Sequence, residues 1–274
     1  MTEQMTTQSV VTPAHDDRGA GGPALLFVPG WCGDRAVFDS LVERLQHHRR
    51  VVSVDLRGHG DNERDCPDFT AADEVGELIA LIERIGLDRV VPVGLSHAGW
   101  FAIELRRRLG ADRVPGIVLL DWMVLGTPPG FEDALTALQG SQSWTGVRGQ
   151  LLSMWSSGVD PSTGSGQAAE LDRYLLAMAD YGFPHWSRAG REIAAAFAAE
   201  GSPLAALDGL EPACPTLHVY AQPADEAYLA AQQGAASSRD WFQVRRLDAA
   251  SHFPMFEVPD EMTRHIEDFV RQLG

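Results

Sequence analysis

The stretch that most constrains the fold is residues 94–98, with the sequence GLSHA, which joins an apolar run to a helical pattern. The run Val90–Val93 is typical of a buried strand, and the helical pattern extends from about Ala98 to Leu109 and ends at Gly110. Ser96 therefore occupies a strand–turn–helix corner. Small residues at such a corner let the backbone turn sharply and present the hydroxyl, as in a nucleophile elbow. Since the usual final glycine of the motif is replaced by Ala98, an ordinary strand–helix turn is the alternative.

Apolar runs alternate with helical patterns on both sides of this corner. The predicted strands are Ala24–Val28, Val51–Asp55, Val90–Val93, Gly116–Leu120, Pro215–Ala221 and Phe242–Asp248, with a short one at Gln8–Thr12. Helices are predicted at Asp34–His47 and Ala71–Ile85 by the 3.6-residue spacing of their apolar side chains. The alternation predicts an α/β fold with a mostly parallel central sheet flanked by helices. In such a sheet, ligand chemistry lies at the carboxyl ends of the strands.

The pattern changes over residues 126–205, where no strand is apparent. This segment contains short helical patterns and Trp144, Trp155 and Trp186. We interpret it as a helical cap inserted between a first part of the core, residues 1–125, and a second part, residues 206–274. The last helix is predicted to begin at Asp260, whose carboxylate can cap it.

Composition excludes several classes of function. The net charge of −16 is unfavourable for binding nucleic acid. The three cysteines are widely spaced and odd in number, which predicts neither a disulfide framework nor a zinc site. Residues 1–22 lack the features of a signal peptide, and no apolar run reaches the length of a membrane span. These features favour a cytoplasmic protein, whose oligomeric state the sequence leaves open.

A serine at an elbow requires a base and an acid that orients the base. In this architecture the chain order is Ser, acid, His. His252 follows the last predicted strand and precedes the last helix, which makes it the candidate base. Two acids compete. We favour Asp121, which directly ends an apolar strand where an unpaired carboxylate would be costly, over Asp225, which lies in a polar loop.

Two further features complete an α/β-hydrolase interpretation. Backbone N–H groups at His97, after the serine, and at Trp31, after the first core strand, would form a pocket for an oxyanion. The alternative is that Trp31 only packs in the core. Trp155 and Trp186 could cover a flat aromatic ring, although tryptophans of a cap more often serve packing.

Six stretches together resemble a known family, the cofactor-independent dioxygenases that open 3-hydroxy-4(1H)-quinolones by 2,4-cleavage. The stretches are Val28–Cys32, Val93–Trp100, Leu120–Met123, Met178–Gly182, Trp186–Arg191 and His252–Pro254. The resemblance spans nearly the whole chain, and its cap stretches are the specific part because caps differ widely between hydrolase families. It is greatest to the members that degrade the 2-heptyl quinolone quorum signal.

The resemblance implies a role for each matching residue. His252 is the general base, Asp121 supports it, and Ser96 hydrogen-bonds the 3-oxygen of the substrate. The backbone at Trp31 and His97 borders the place where oxygen reacts.

Two cap and loop positions are also implied. Trp155 borders the substrate ring. Gly33 stands where the methylquinolone enzyme has a histidine, and we expect this difference to open space for a longer 2-alkyl tail.

The expected reaction needs no metal or flavin. The sequence shows no dinucleotide fingerprint and no cluster of metal-ligating residues, so we expect molecular oxygen to react directly with the substrate anion. The resemblance implies cleavage to an N-acylanthranilate and carbon monoxide. Two alternatives are a serine hydrolase using Ser96, Asp121 and His252, and a non-catalytic receptor for small molecules.

Overall fold

The centre of the protein is a seven-stranded sheet with the strand order β1-β3-β2-β4-β5-β6-β7. The computed structural model describes residues 12–159 and 166–274. The strands are β1 (His15–Arg18), β2 (Ala24–Val28), β3 (Val51–Val54), β4 (Val90–Leu95), β5 (Ile117–Leu120), β6 (Thr216–Tyr220) and β7 (Phe242–Arg246). β1 pairs antiparallel with β3, and every other neighbouring pair is parallel. The prediction of a mostly parallel sheet is confirmed.

Helices cover both faces of the sheet. They are α1 (Asp39–Leu45), α2 (Ala71–Arg84), α3 (Gly99–Arg113), α4 (Phe131–Leu138), α5 (Trp144–Trp155), α6 (Gly166–Ala179), α7 (Phe183–Glu200), α8 (Pro203–Asp208), α9 (Glu226–Ser237) and α10 (Pro259–Gln272). Successive residues of β2 belong to different core clusters: Leu26 packs with residues of α2 and α3, and Leu25 packs with residues of α1 and α10. The inner strands are therefore apolar on both faces, as a sheet covered by helices on both sides requires.

Helices α4–α8, which we call the cap, lie between β5 and β6 in the chain. Within residues 126–159 and 166–205 the structure contains no strand. The cap packs into the same two core clusters as the sheet: Trp186 belongs to one, and Tyr174 and Met178 belong to the other. The cap and the carboxyl ends of the strands thus bury side chains together.

Several local predictions need correction. The strand predicted at Gln8–Thr12 lies outside the described residues except for Thr12, and the first described strand is β1. Asp260 does not cap α10: the N-cap is Val258, and the Asp260 carboxylate accepts a hydrogen bond of 2.5 Å from Arg44. The apolar pattern located this helix, but the start of a helix depends on backbone geometry that the pattern does not report. No described helix is long and apolar enough to cross a membrane.

Candidate active site

The elbow at Ser96 is built as the strand–turn–helix pattern predicts. Ser96 adopts φ 53°, in the left-handed region, between β4 and α3. A Cβ at Gly94 would lie 2.6 Å from the backbone of Ala98, and a Cβ at Gly99 would lie 2.2 Å from the ring of Trp122. Glycine is therefore required at 94 and 99, whereas Ala98 is accommodated in the core with its methyl group buried.

Asp121 and His252 form a buried hydrogen-bonded pair. His252 Nδ1 lies 2.7 Å from Asp121 Oδ1. The other carboxylate oxygen, Oδ2, accepts from the backbone N–H of Ala221 at 2.6 Å and of Gln222 at 3.2 Å. Asp121 is 1% exposed, so these hydrogen bonds replace the water that its charge would otherwise require.

Asp225, the competing acid, serves a different purpose. Its carboxylate accepts a hydrogen bond of 2.7 Å from the backbone N–H of Tyr228 and caps α9. An N-cap aspartate of this kind stabilises the helix start by satisfying a free N–H group. Geometry thus associates Asp121, and not Asp225, with His252.

The backbone around His252 is held by three other parts of the chain. The His252 N–H donates to the carbonyl of Trp155, the last residue of α5, at 2.8 Å. Glu257 accepts from the backbone N–H groups of Ala250 at 2.9 Å and Ser251 at 2.8 Å. Gln222 donates to the carbonyl of Ala250 at 2.6 Å. Sequence reasoning missed Glu257, for which a carboxylate shortly after the histidine was the one available signal.

Ser96 and His252 border the same cavity without bonding to each other. They are 8% and 9% exposed, respectively. Among the described residues no hydrogen bond joins the Ser96 hydroxyl to the imidazole. Since His252 Nδ1 is used by Asp121, its Nε2 is the nitrogen left to act on a bound molecule.

The loop after β2 is fixed by a second buried histidine. Cys32 adopts φ 60°, and its N–H donates to His59 Nε2 at 3.1 Å. His59 Nδ1 lies 2.8 Å from the carbonyl of Arg57. Burial lowers the pKa of His59 to about 3, so the ring is neutral and Nε2 is free to accept. No local pattern in the sequence indicates that His59 holds the loop after β2.

Trp31, in the same loop, packs against its neighbours and also lines the cavity, while the oxyanion role of its backbone N–H stays a prediction. Its ring stacks on Phe69 at a centroid distance of 6.1 Å, and it also lines the cavity. Packing therefore holds Trp31 in place beside Ser96.

The cavity lies between the strand ends and the cap, and the empty space between its lining atoms, part of it open to solvent, is about 540 Å³. Its polar end contains Ser96, His97 and His252. The remaining walls are apolar. Most come from the cap, namely Phe131, Leu135, Leu138, Leu151, Trp155, Tyr174, Met178, Trp186, Ala189 and Ile193, and the rest are Gly30, Trp31, Leu95 and Phe253.

Aromatic rings continue from the base into the cap. The ring of Trp155 stacks on His252 at 5.4 Å and on Trp186 at 6.4 Å, with interplanar angles of 23° and 22°. His97 stacks on Phe131 at 5.7 Å. Burial, with a smaller contribution from His252, lowers the pKa of His97 to about 3 and keeps this ring neutral. The cavity is therefore suited to a flat, largely apolar molecule with polar atoms at one edge.

A larger, open cavity of about 1180 Å³ lies beside the first one and is lined in part by Asp121, Met154 and Gln222. The lining residues that it shares with the first cavity include Ser96, His97, Trp155 and His252. The base thus borders both the first cavity, which we call the chamber, and this larger one. Among residues 12–159 and 166–274, no group of three or more His, Cys, Asp or Glu side chains is arranged to hold a metal ion.

Residues 25–265 match the alpha/beta hydrolase family. The chain is 32% identical over 249 residues, 91% of its length and 87% of the relative, to the 2-heptyl-3-hydroxy-4-quinolone dioxygenase AqdC1 of Rhodococcus erythropolis. It is 30% identical to the 1H-3-hydroxy-4-oxoquinoline 2,4-dioxygenase of Pseudomonas putida, with 91% and 92% of the two chains covered. A solved structure of an AqdC variant in complex with its substrate superposes with a TM-score of 0.88 at 31% identity, covering 95% and 96% of the two chains.

The chain belongs to the hydroxyquinolone dioxygenases of the alpha/beta hydrolase family.

One expectation drawn from the resemblance to this family is wrong in its physical reasoning. Gly33 was expected to leave open space for a longer substrate tail, yet it does not line the cavity. A Cβ at Gly33 would lie 2.2 Å from the hydroxyl oxygen of Tyr174. The room beside this glycine is filled by a cap side chain, which no local sequence pattern could have indicated.

Proposed function

We propose that the protein is a ring-cleaving dioxygenase of 2-alkyl-3-hydroxy-4(1H)-quinolones that uses molecular oxygen without a metal or a flavin. The products would be an N-acylanthranilate and carbon monoxide. The observation that carries the proposal is the hydrogen bond of 2.7 Å between His252 and Asp121 at the polar end of an otherwise apolar cavity. Relatives at 30% and 32% identity that are named for this class of substrate support the choice of reaction.

In this proposal His252 is the general base. A carboxylate at Nδ1 favours the tautomer with its proton on Nδ1, which leaves Nε2 unprotonated and able to accept the proton of the 3-hydroxyl group. Asp121 then stabilises the imidazolium that forms. Proton transfer to a positioned base accelerates a reaction by typically ~10²–10⁴-fold.

Ser96 and the nearby backbone would orient the substrate anion. The Ser96 hydroxyl is free of a hydrogen bond to His252 within the described chain, so it is available to bond the 3-oxygen. The backbone N–H groups of Trp31 and His97 would stabilise negative charge as oxygen is reduced. The ring systems of Trp155 and Trp186 would hold the bicyclic substrate in the plane in which His252 reaches its hydroxyl.

The oxygen chemistry balances without another reactant. The substrate anion gives one electron to O₂, and the resulting radicals combine at C2 to form a peroxide. The terminal oxygen bonds C4, after which the O–O, C2–C3 and C3–C4 bonds break and C3 leaves as carbon monoxide. One oxygen atom of O₂ remains on the former C2 and the other on the former C4, and the proton returns from His252.

A 2-alkyl substituent fits the apolar character of the remaining cavity. Leucine, isoleucine and methionine side chains of the cap form those walls, and they offer a saturated chain no polar partner. The 2-heptyl compound is therefore the substrate with which we would begin. The cytoplasmic location stays a prediction.

The deciding experiment mixes purified protein of measured metal content with 2-heptyl-3-hydroxy-4-quinolone under ¹⁸O₂. We expect carbon monoxide in the gas phase and an N-octanoylanthranilate that carries two ¹⁸O atoms. The reaction should stop in an anaerobic vessel and continue after treatment with a chelator. Equal consumption of substrate without oxygen, or loss of activity on chelation that iron restores, would contradict the proposal.

The same assay separates this function from a serine hydrolase. In a hydrolase the Ser96 hydroxyl forms the acyl-enzyme, so Ser96→Ala and His252→Ala should both abolish turnover, and a fluorophosphonate should label Ser96. In the proposed dioxygenase Ser96→Ala retains much of its activity. A receptor would bind the quinolone and release no product.

A further inference from the structure

Tyr174 of α6 occupies the space beside Gly33. A Cβ at residue 33 would lie 2.2 Å from Tyr174 Oη and 3.4 Å from Tyr174 Cζ. The first distance is far below van der Waals contact, and the second is an ordinary contact. Glycine at this position is therefore what allows the tyrosine hydroxyl to approach the loop after β2.

Tyr174 also separates two cavities. It lines the chamber that contains Ser96 and His252. On its other side lies an open groove of about 970 Å³, bordered by Asp34, Asp39, Glu170 and other residues. Among the residues that the structure describes around these two spaces, Tyr174 alone borders both. Its ring is thus the partition between the chamber and the groove.

The ring is held firmly in that position. Phe253, next to the base, packs edge-on against it at 5.3 Å, and Phe256 packs at 5.7 Å. The hydroxyl donates to the carbonyl of Asp34 at 3.5 Å. Tyr174 is 7% exposed, and burial raises the pKa of its phenol, so the group is a neutral donor. These contacts come from elements on both sides of the partition.

We propose that Tyr174 is a specificity-determining residue that closes the chamber toward the groove and so limits the length of the 2-alkyl group the enzyme accepts. This inference rests on the proposed function. Without the phenol ring the chamber would continue into the groove, and a longer alkyl chain would pass between α6 and the loop after β2. Next to the ring the groove is also bordered by the apolar side chains of Ala177 and Phe256, against which further methylene groups would be buried.

The test compares kcat/KM for 3-hydroxy-4-quinolones with 2-methyl, 2-pentyl, 2-heptyl, 2-nonyl and 2-undecyl groups. For the wild-type protein, kcat/KM should fall once the 2-alkyl group is too long to fit in the chamber. In Tyr174→Ala the optimum should move to longer chains, with a gain of about fourfold for each additional methylene that becomes buried. Tyr174→Phe retains the ring and should keep the wild-type order.

Two further variants keep the result interpretable. Leu176→Ala changes an exposed residue of the same helix, 60% exposed, and should leave the order of substrates unchanged. If Tyr174→Ala does not fold, Tyr174→Leu removes most of the ring while preserving apolar packing. An unchanged chain-length order in folded Tyr174→Ala or Tyr174→Leu would overturn the inference.

Failure of the proposed function is detected separately. If the wild-type protein consumes none of these quinolones, their dissociation constants are measured by quenching of tryptophan fluorescence, since Trp155 and Trp186 border the chamber. The same shift toward longer chains is then expected in Kd, and its absence would overturn the role of Tyr174 independently of catalysis.

A second test uses the contact with Gly33. Gly33→Ala should displace the tyrosine ring and lower kcat/KM, and adding Tyr174→Phe should restore part of the loss because it removes the atom that lies 2.2 Å away. Recovery should be incomplete, since the carbonyl of Gly30 would still lie 3.2 Å from the new methyl group. Gly146→Ala, where nothing lies within 4 Å, is the matched control. Losses that simply add in the double variant would contradict the coupling.

Discussion

The two walls of the chamber are built on different principles. One wall lies at the carboxyl ends of the strands, which we call the sheet edge. There Cys32, Ser96 and Asp121 each adopt a positive φ, at 60°, 53° and 43°. Buried hydrogen bonds hold the Cys32 N–H and the Asp121 carboxylate. The cap wall consists of helices whose aromatic and aliphatic side chains face the chamber and offer few polar atoms.

This difference suggests that one wall holds the reacting groups and the other selects the substrate by shape. Non-glycine residues in the left-handed region carry a backbone cost, which persists only where the surrounding contacts determine the conformation. The sheet edge meets that condition and can hold reacting groups at hydrogen-bonding distances. Apolar packing is less directional, so the cap can change shape or composition while the polar end is preserved. Changes at the sheet edge should therefore lower kcat, and changes in the cap should alter KM and substrate choice.

The largest expected effect comes from removing the base. His252→Ala should lower kcat by ~10²–10⁴-fold, the usual contribution of a positioned base. Ser96→Ala, at the same edge, should lower kcat much less because the serine only orients the substrate. Both rates are measured from the loss of quinolone absorbance. A similar, near-complete loss of kcat in both variants would contradict the proposal that His252 is the catalytic base and Ser96 only orients the substrate.

The next effect tests the acid. Asp121→Asn replaces an acceptor that fixes the His252 tautomer with an amide that can donate to Nδ1, so the proton moves to Nε2 and the base is lost. We expect kcat to fall by roughly 10²-fold or more. Asp225→Asn is the matched control, since asparagine also caps α9. A greater loss in the Asp225 variant would reverse the choice between the two acids.

A third effect concerns stability in acid. Burial lowers the pKa of His59 and His97 to about 3 and that of His218 to about 4. In the unfolded chain a histidine has a pKa near ~6.5, so between these values the unfolded chain binds more protons. Their contribution to stability is complete above pH ~6.5 and is lost as the pH falls.

Between these pH values the free energy of unfolding should fall by about 1.4 kcal/mol for each histidine as the pH drops by one unit. Urea unfolding at a series of pH values measures it, and His59→Gln should show a shallower dependence than the wild type. His48→Gln, which changes an exposed residue, serves as the control. A His59→Gln slope equal to that of the wild type would show that the buried ring is not kept neutral.

The smallest expected effect belongs to the cap wall. Trp155→Phe keeps an aromatic face beside His252 and leaves the backbone bond from His252 to residue 155 intact. We expect KM to rise a few-fold and kcat to change little, since an aromatic contact contributes ~0.5–1.5 kcal/mol. Trp144→Phe, which packs on Phe183 away from the chamber, is the control. A fall in kcat without a change in KM would show that Trp155 contributes to the chemical step, as the residues of the sheet edge do.

The sequence was most informative at the sheet edge and least informative about the cap. The corner at Ser96, the acid at Asp121 and the histidine at His252 each follow an apolar run, and parallel strands bring such ends together. The long-range supports, His59 and Glu257, had no comparable signal, because a side chain that accepts backbone N–H groups can be polar for many reasons. The site roles themselves stay predictions until the variants are measured.

By itself, the sequence determined the chain order of Ser96, Asp121 and His252 after apolar runs and the small residues on either side of the serine, because apolar periodicity and residue size are local properties. Only the tertiary structure decided that Tyr174 fills the room beside Gly33, that His59 holds the Cys32 N–H and that Asp225 serves a helix. Each of these facts depends on which distant or competing groups meet after folding, and packing sets those meetings through shape and burial.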